Sequence, residues 1–426
     1  MNSFLLYIFV ALSLAMAAPA LWRKDYRLQF PCLAGVSGLY LVAMPWASLI
    51  AQPDEVAPEA IFRFGLMAIM CLGAAWAGYV WWKPSNGLAL PRFDDNKLAK
   101  AAMFLVAFGA FFAWIARNTV PDIDPDTTQW TGPIVIYSTL SLVMRYGAML
   151  ATILFFRTRK WWYLLLALPQ LVQYANLFMV GRRGSTGEIM LVICVLLFFY
   201  RKWALPLWLL LLGTLAMAIF SYNIGTIRAT NDQSLSERIQ AIKAVDPLHS
   251  ITTAGMAEDR KYIEIYNGAK FMEAKARGGH YTLGLHFWNQ IVFGFVPAQL
   301  VGKDFKESLR IKLTDDTLQT GYEKSNGTCE TGIGEAFMAF GYFGCGLFFA
   351  LGAFMRWLWE GAARNSVLHQ LLLMLFTLPS LMAFSGQLWT SVNQLVNISI
   401  FVGPWLWWSR YQNLSGRRGL RKVESL

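Results

Sequence analysis

Residues 133–156 read PIVIYSTLSLVMRYGAMLATILFF, and this stretch carries a single charged side chain, Arg145. A helix that crosses the roughly 30 Å hydrocarbon core of a bilayer needs about 20 mostly apolar residues. The stretch therefore predicts a transmembrane helix, and ten similar stretches predict an all-α polytopic integral membrane protein with about 11 spans. The predicted spans are residues 3–21, 32–51, 61–82, 101–116, 133–156, 161–180, 186–200, 203–222, 335–355, 368–386 and 391–408.

The composition of the whole chain agrees with this prediction. Of the 426 residues, 56% are hydrophobic and only 15% are charged, whereas soluble domains are about a quarter charged. The five cysteines are scattered along the sequence and follow neither a disulfide framework nor a zinc-binding spacing. These features exclude a soluble globular enzyme, a disordered scaffold and a disulfide-rich secreted domain.

Positive charge is concentrated in six of the segments outside the spans. They hold 19 of the 37 Lys and Arg residues but only five acids, a net charge of +14, which leaves −3 for the rest of the chain. Because Lys and Arg mark cytoplasmic loops, this pattern predicts an external N-terminus, a cytoplasmic C-terminus and no nucleic-acid partner. The six segments are residues 22–30, 83–100, 157–160, 201–202, 356–364 and the C-terminal tail.

The spans divide the chain into three parts, one of which is a large polar external loop. Apolar residues at helical spacing predict a helix over 257–277 within this loop. The apolar stretch 283–301 is predicted to be an interfacial or re-entrant helix, because a span there would place the basic tail outside. The three parts are an N-terminal bundle of about eight spans (1–222), the loop (223–334), and about three C-terminal spans with the tail (335–426).

Arg145 is the first candidate site residue, because a charge at membrane depth is costly. It lies about eleven residues from either end of its apolar stretch. Its guanidinium must therefore face a water-filled cavity, a ligand anion or a carboxylate. Two interpretations stay open: Arg145 binds an anionic ligand, or it forms a structural ion pair with Glu188 or Glu335.

The turn GRRGSTGE at 181–188 places Arg182 and Arg183 together on the predicted external side. Guanidinium groups match phosphate oxygens in pairs, and the helix that follows the turn directs free N–H groups at the same place. The alternative is that both side chains reach lipid headgroups. Arg228 and Arg277 in the large loop are further candidates for the same anion site.

Glu335 and His280 are the candidate proton acceptors. Glu335 opens the ninth predicted span, where a carboxylate facing an external cavity could act as a general base; the alternative is that it stabilises the N-terminus of that helix. His280 lies in the loop, between Gly279 and Tyr281. No ligand spacing predicts a metal site, and nucleotide-binding and hydrolase motifs are absent from the sequence.

Three stretches of the chain are similar to those of one family of membrane proteins. They are GRRGSTGEIM at 181–190, YTLGLHFWNQIVFGFVPAQLVGKD at 281–304 and GEAFMAFGYFGCGLFFALG at 334–352. In order and sidedness they resemble the bacterial O-antigen or oligosaccharide repeat-unit polymerases (Wzy type). One departure is Pro297-Ala298, where similar proteins often carry Pro-Arg, so we assign no basic role to that position.

This resemblance implies a GT-C-like fold and a glycosyltransferase at the periplasmic face of the bacterial inner membrane. The enzyme would join oligosaccharide repeat units carried on undecaprenyl pyrophosphate, and the activated donor would make a cofactor unnecessary. Membrane lipids, a chain-length regulator and a flippase are the other implied partners. Arg145, Arg182, Arg183, Arg228 and Arg277 would bind the pyrophosphate, and Glu335 or His280 would accept the proton.

Two other functions remain compatible with the same sequence features. An O-antigen ligase-type enzyme would transfer the glycan to a different acceptor. A transporter or flippase would move lipid-linked glycans without forming a bond, and such proteins usually contain repeated halves with helices broken at matching positions. The sequence contains no internal repeat of this kind.

Overall fold

A computed structural model of the chain describes residues 1–51, 56–82, 90–120, 122–123, 130–179, 183–209, 212–213, 263–313 and 329–410. Within these residues the fold is helical, apart from one antiparallel pair of two-residue strands, β1 (Asp122–Ile123) and β2 (Trp130–Thr131). The helices before the large loop are α1 (Asn2–Ala17), α2 (Phe30–Gly38), α3 (Met44–Ala51), α4 (Pro58–Trp81), α5 (Asp95–Asn118), α6 (Pro133–Ser141), α7 (Val143–Thr158), α8 (Trp162–Met179) and α9 (Arg183–Arg201). The later helices are α10 (Ile263–Gly278), α11 (Leu285–Phe295), α12 (Ala298–Val301), α13 (Lys303–Ser308), α14 (Thr331–Phe340), α15 (Cys345–Ala363), α16 (Val367–Met382), α17 (Trp389–Phe401) and α18 (Gly403–Ser409).

The prediction of an all-α membrane protein is confirmed. Ten of the eleven predicted spans coincide with helices, and the eighth, 203–222, lies largely outside the described residues. Among the described residues, six helical stretches are long and apolar enough to cross a membrane. They are Asn2–Leu21, Phe30–Ala51, Pro58–Trp81, Asp95–Asn118, Pro133–Thr158 and Thr331–Ala363, and Val367–Met382 is a shorter apolar helix.

Contacts between distant segments gather the basic segments at one end of the bundle. Arg157 pairs with Asp95, with 3.0 Å between Nε and Oδ1. Arg27 is buried and donates through Nη1 to the Leu205 carbonyl at 2.8 Å. Asp95, Arg157 and Arg27 all belong to segments that the charge pattern assigned to the same side. We call this the basic end of the bundle.

The segments predicted to be external meet at the opposite end. The Asn2 side-chain amide donates to the Pro58 carbonyl at 3.1 Å, so the N-terminus lies beside the start of α4. Helix α10 of the large loop packs against α4 and α14. A Cβ added to Gly332 would lie 2.1 Å from the Ala383 carbonyl oxygen, so α14 also lies against the turn between α16 and α17. The contacts of the described residues thus place the N-terminus, the start of α4, α10, α14 and the turn between α16 and α17 at one end.

The predicted helix 257–277 corresponds to α10 from Ile263 onwards. Residues 257–262 of that prediction lie outside the described part of the chain. Its inward face carries Ile265, Ala269 and Met272 at helical spacing, all of them buried. The helix ends at Gly278, and Gly279 follows with φ of +72°, a conformation that glycine adopts without strain. The predicted stretch 283–301 folds as α11 and the short α12.

The ninth predicted span begins differently from what we expected. Sequence 335–355 predicts one helix opened by Glu335, but the chain forms α14, then a 3₁₀ turn over Gly341–Gly344, then α15. A Cβ added to Gly344 would lie 1.9 Å from the Ala336 carbonyl oxygen, so the chain bends sharply here. Glu335 therefore lies in the second turn of a separate short helix, and its expected place in the first turn of the span was wrong.

Candidate functional site

Three helices bring Arg145, Glu188 and Tyr174 together inside the bundle. Arg145 on α7 pairs with Glu188 on α9, with 3.1 Å between Nε and Oε1. Tyr174 on α8 donates its hydroxyl to the other carboxylate oxygen of Glu188 at 2.8 Å. Of the two partners that the sequence left open for Arg145, the structure selects Glu188 rather than Glu335. We call these three residues the Arg145 cluster.

The Arg145 cluster lies beyond the middle of the bundle as seen from the basic end. At about 1.5 Å per residue, Arg145 is about 18 Å along α7 from Arg157, and Glu188 is about 20 Å along α9 from Arg201. Both Arg157 and Arg201 lie in segments of the basic end. In a hydrocarbon core about 30 Å thick, the ion pair is therefore nearer to the opposite end.

The two charged groups differ in how much of their surface is accessible. Glu188 retains 6% of its side-chain surface, whereas Arg145 retains 21%. Arg145 Nε is close to Glu188 Oε1 but is not aligned for a hydrogen bond with it. This nitrogen is buried and has no hydrogen-bond partner among the described residues. Arg145 is thus neutralised by Glu188 while part of its side chain remains accessible.

The accessible part of Arg145 faces a cavity of about 290 Å³. Its wall combines the N-terminal bundle (Arg145 and Glu188), the large loop (Cys329) and the C-terminal helices. The three parts into which the sequence divides the chain therefore converge on one space. The residues lining the cavity are Arg145, Glu188, Cys329, Leu378, Pro379, Met382, Gly386, Gln387 and Thr390.

The wall opposite Arg145 is formed by the turn between α16 and α17, and it is partly polar. Gln387 and Thr390 line the cavity. The Cys329 thiol donates a hydrogen bond to the Ser385 carbonyl at 3.9 Å. Burial, with the nearby Glu264 adding to it, raises the pKa of the Cys329 thiol to about 12, so this sulfur is no nucleophile at neutral pH. Ser385 Oγ is buried and has no hydrogen-bond partner among the described residues.

Glu335 lies behind this wall and does not line the cavity. Its carboxylate is buried, and Oε2 accepts a hydrogen bond from the Trp389 backbone N–H at 3.0 Å. Trp389 is the first residue of α17 and precedes Thr390, which lines the cavity. The carboxylate thus binds one of the free N–H groups at the start of a neighbouring helix. The sequence analysis allowed Glu335 to stabilise the N-terminus of its own helix. In the structure it stabilises the N-terminus of α17 instead.

The two candidates from the described part of the large loop lie away from the cavity lining. Arg277 is exposed near the end of α10 and pairs with Glu273 one turn earlier. His280 is exposed in the linker between α10 and α11. The next residue, Tyr281, packs edge-on against Phe337 of α14, with 5.8 Å between the ring centroids. This linker covers part of α14.

His286 on α11 is a buried histidine in the described part of the loop. Its Nδ1 lies 2.8 Å from the Thr282 hydroxyl, and Nε2 has no hydrogen-bond partner among the described residues. Burial, together with the positive charge of Lys275, lowers the pKa of His286 to about 4. His286 is therefore neutral at pH 7.

The double-arginine turn lies at the edge of the described part of the chain. Arg182 and Arg228 lie outside the described residues, and Arg183 is the first residue of α9. Glu188 follows five residues later on the same helix, a rise of about 7.5 Å. The N-terminus of α9 thus lies one and a half turns from the Arg145 cluster.

Sequence reasoning missed Tyr174 and the 385–390 turn as parts of this site. Glu188 could be found as a carboxylate within an apolar helix, a rare and costly placement. Tyr174 gave no comparable signal, because tyrosine is common in membrane helices. No group of three or more His, Cys, Asp or Glu side chains in the described ranges is placed to hold a metal ion.

Comparison with known proteins returns no significant match to this chain among protein-family models, curated proteins or solved structures.

Proposed function

We propose that this chain polymerises undecaprenyl-pyrophosphate-linked oligosaccharide repeat units at the periplasmic face of the bacterial inner membrane. The observation that carries the proposal is the cavity in which Arg145 is accessible, at the point where both helical bundles and the large loop meet. The resemblance of three stretches to the Wzy-type polymerases supplies the substrate class. In this proposal the chain crosses the membrane eleven times in a GT-C-like arrangement, and the basic end of the bundle faces the cytoplasm.

The cations of the site suit a lipid pyrophosphate leaving group. Negative charge develops on the pyrophosphate as its bond to the sugar breaks, and preorganised cations in a site of low dielectric stabilise such charge most effectively. Arg145 supplies one cation beside the cavity. The N-terminus of α9, which begins at Arg183, lies about 7.5 Å along that helix from Glu188, the partner of Arg145. We propose that the side chains of Arg182 and Arg183 add to this charge. These groups would form a path for the pyrophosphate from the opposite end of the bundle towards the cavity.

The reaction itself is a glycosyl transfer between two lipid-linked glycans. The acceptor hydroxyl attacks the anomeric carbon of the donor chain, the bond from that carbon to pyrophosphate breaks, and pyrophosphate leaves with the electron pair. The acceptor proton passes to a base. We propose Glu335 as that base, because its bond to the Trp389 N–H holds the carboxylate next to the lining residue Thr390. His280 is the second candidate, and the structure adds Glu188 as a carboxylate that lines the cavity itself.

Glu335→Gln separates a base from a structural group. Glutamine keeps an oxygen that can accept the Trp389 N–H, so α17 should remain in place, but it cannot take up the acceptor proton. If Glu335 is the base, the variant should fold, bind lipid-linked substrate and lose about 10²–10⁴-fold in turnover. Near-normal turnover would show that Glu335 only stabilises the N-terminus of α17. The base would then be Glu188 or His280, and Glu188→Gln and His280→Ala are measured in the same assay.

The function is tested with purified wild-type protein in liposomes supplied with synthetic polyprenyl-pyrophosphate-linked repeat units. The proposal predicts a ladder of lengthened lipid-linked glycans and release of polyprenyl pyrophosphate. Transfer only to an added lipid A-type acceptor would indicate the ligase activity. Movement of substrate across the bilayer without release of pyrophosphate would indicate a transporter, and either result would overturn the polymerase proposal.

A further inference from the structure

Residues 285–311, comprising α11, α12 and α13, form a closed hairpin within the large loop. The Trp288 indole N–H donates to the Leu309 carbonyl at 2.8 Å, and Asn289 exchanges two hydrogen bonds of 2.8 Å with the backbone of Ile311. The Lys306 ammonium donates to the Phe293 carbonyl at 2.9 Å. The returning segment is therefore fixed along α11, and the hairpin has a defined surface. We call it the α11–α13 hairpin.

The outer surface of this hairpin is unusually apolar. Leu300 at its tip is 77% exposed, and Phe293 and Phe305 on its two arms are more than half exposed. Trp288 and Leu285 continue the same exposed surface towards the bundle. Large exposed apolar patches of this kind mark a contact surface and are rare on protein that faces water.

The returning arm, residues 303–312, carries four bases and the two acids Asp304 and Glu307 among its apolar residues, a net charge of +2. Lys303 and Lys312 are exposed and make no ion pair with any described residue. Lys306 lies over the Phe293 ring at 5.0 Å from its centroid. Aromatic rings and lysines side by side are typical of the membrane–water interface, where the ring and the lysine stem lie in lipid and the ammonium reaches the headgroups.

The hairpin is attached to the bundle through α14 and α17. The Thr282 and Leu283 N–H groups donate to the Met338 and Ala339 carbonyls, both at 2.9 Å, which fixes the start of the hairpin on α14. Helix α11 packs against α17. Helix α17 itself exposes Leu395.

We propose that the α11–α13 hairpin inserts its apolar edge into the bilayer surface at the end of the bundle opposite the basic end and binds anionic phospholipid headgroups through Lys303 and Lys312. The charge of the surface selects this partner: cations flank an apolar wedge, which complements an acidic headgroup layer above acyl chains. A second copy of the chain would bring the same net positive charge of the returning arm against itself. The inference does not depend on the reaction proposed above.

The test places a photo-crosslinking amino acid, p-benzoylphenylalanine, at Leu300 in the full-length protein. The protein is reconstituted in liposomes of phosphatidylcholine and phosphatidylglycerol in equal parts, and adducts are identified by mass spectrometry. We expect phospholipid adducts at position 300 and none at position 277, a matched site at the exposed end of α10 in the same loop. Adducts to a second copy of the chain, or no lipid adduct at position 300, would overturn the proposal.

The charge preference is tested by counting lipids retained on the protein in native mass spectrometry. The K303E/K312E variant should lose the preference for phosphatidylglycerol over phosphatidylcholine by about fivefold for each lysine. The K303R/K312R variant keeps both charges and should retain the preference. An unchanged preference in K303E/K312E, with the hairpin intact by proteolysis, would contradict the role of these lysines.

Discussion

Arg145, Glu188 and Tyr174 form a buried polar group whose members depend on one another. Removing one partner of a buried ion pair leaves an uncompensated charge and costs about 3–5 kcal/mol, whereas replacing the whole pair by apolar residues is often neutral. A chain that needed only stability could hold an apolar cluster at this place. The retained charges therefore point to a role for the Arg145 cluster beyond packing, and this role is separable from stability by mutation.

Arg145→Met alone and Glu188→Leu alone should each lower the free energy of unfolding by about 3–5 kcal/mol, because each leaves one buried charge. The triple variant R145M/Y174F/E188L removes both charges and the hydroxyl that donates to Glu188. It should unfold within about 1 kcal/mol of the wild type. Denaturant unfolding in detergent measures all three variants. A triple variant less stable than either single one would contradict this account of the cluster.

The sequence predicted Arg145 and two possible partners, because ionisable residues within apolar stretches are few. It could not choose between Glu188 and Glu335, since that choice depends on which helices adjoin. Tyr174 and Thr390 are ordinary residues of apolar or polar stretches, and only the fold brings them to the ion pair and to its cavity. Charged residues of a site at membrane depth can thus be found from the sequence, because they stand alone in apolar stretches. The neutral residues around them cannot be found in this way.

At the scale of elements, the sequence predicted where helices lie better than where they break. Apolar stretches predicted α4 and α16 closely, because length and hydropathy decide a membrane helix, whereas α5 begins six residues before its predicted span. The bend over Gly341–Gly344 was missed, since glycine is frequent in straight membrane helices as well. The large loop was predicted as polar with two helical stretches, and both are helical in the described residues.

The bend between α14 and α15 predicts opposite responses at two nearby glycines. Gly344→Ala would place a methyl group 1.9 Å from the Ala336 carbonyl oxygen, so the backbone must shift at a cost of about 1–3 kcal/mol. At Gly346 an added Cβ meets no atom within 4 Å, so Gly346→Ala is the matched control. It should be neutral or stabilising by up to about 1 kcal/mol. Equal thermal stability of the two variants would exclude the bend.

The docking of α11 should depend on pH through His286. The pKa of His286 falls from an ordinary 6.5 when the loop is unfolded to about 4 when it is docked. Because the unfolded loop binds the proton more tightly, docking is fully stable above pH 6.5. It weakens as the pH falls from 6.5 towards 4, by up to about 3 kcal/mol.

Hydrogen exchange of residues 285–311 between pH 7.5 and 4.5 measures this loss of docking. His286→Phe keeps a ring of similar size next to Phe287 and cannot be protonated, so its protection should change much less with pH. Equal pH dependence in the wild type and in His286→Phe would assign the effect to other groups.

At the scale of the whole molecule, the contacts group the segments into two ends, and the charge rule proposes which end is cytoplasmic. Periplasmic reporter fusions should be active at residues 57, 125 and 270 and inactive at residues 92 and 415. The expected result follows from the net charge of +14 on the basic segments against −3 elsewhere. A cytoplasmic signal from residue 270 would place the cavity and the large loop on the wrong side for the proposed reaction.

The central claim is that the accessible Arg145 in the cavity serves glycan polymerisation, and the triple variant R145M/Y174F/E188L tests it most directly. Wild-type and triple-variant proteins, both verified as folded, are incubated in liposomes with the same polyprenyl-pyrophosphate-linked repeat units. We predict a ladder of lengthened glycans from the wild type and about 10²–10³-fold less product from the variant, the usual cost of losing a group that stabilises developing charge. A wild-type ladder from the folded triple variant would contradict the account.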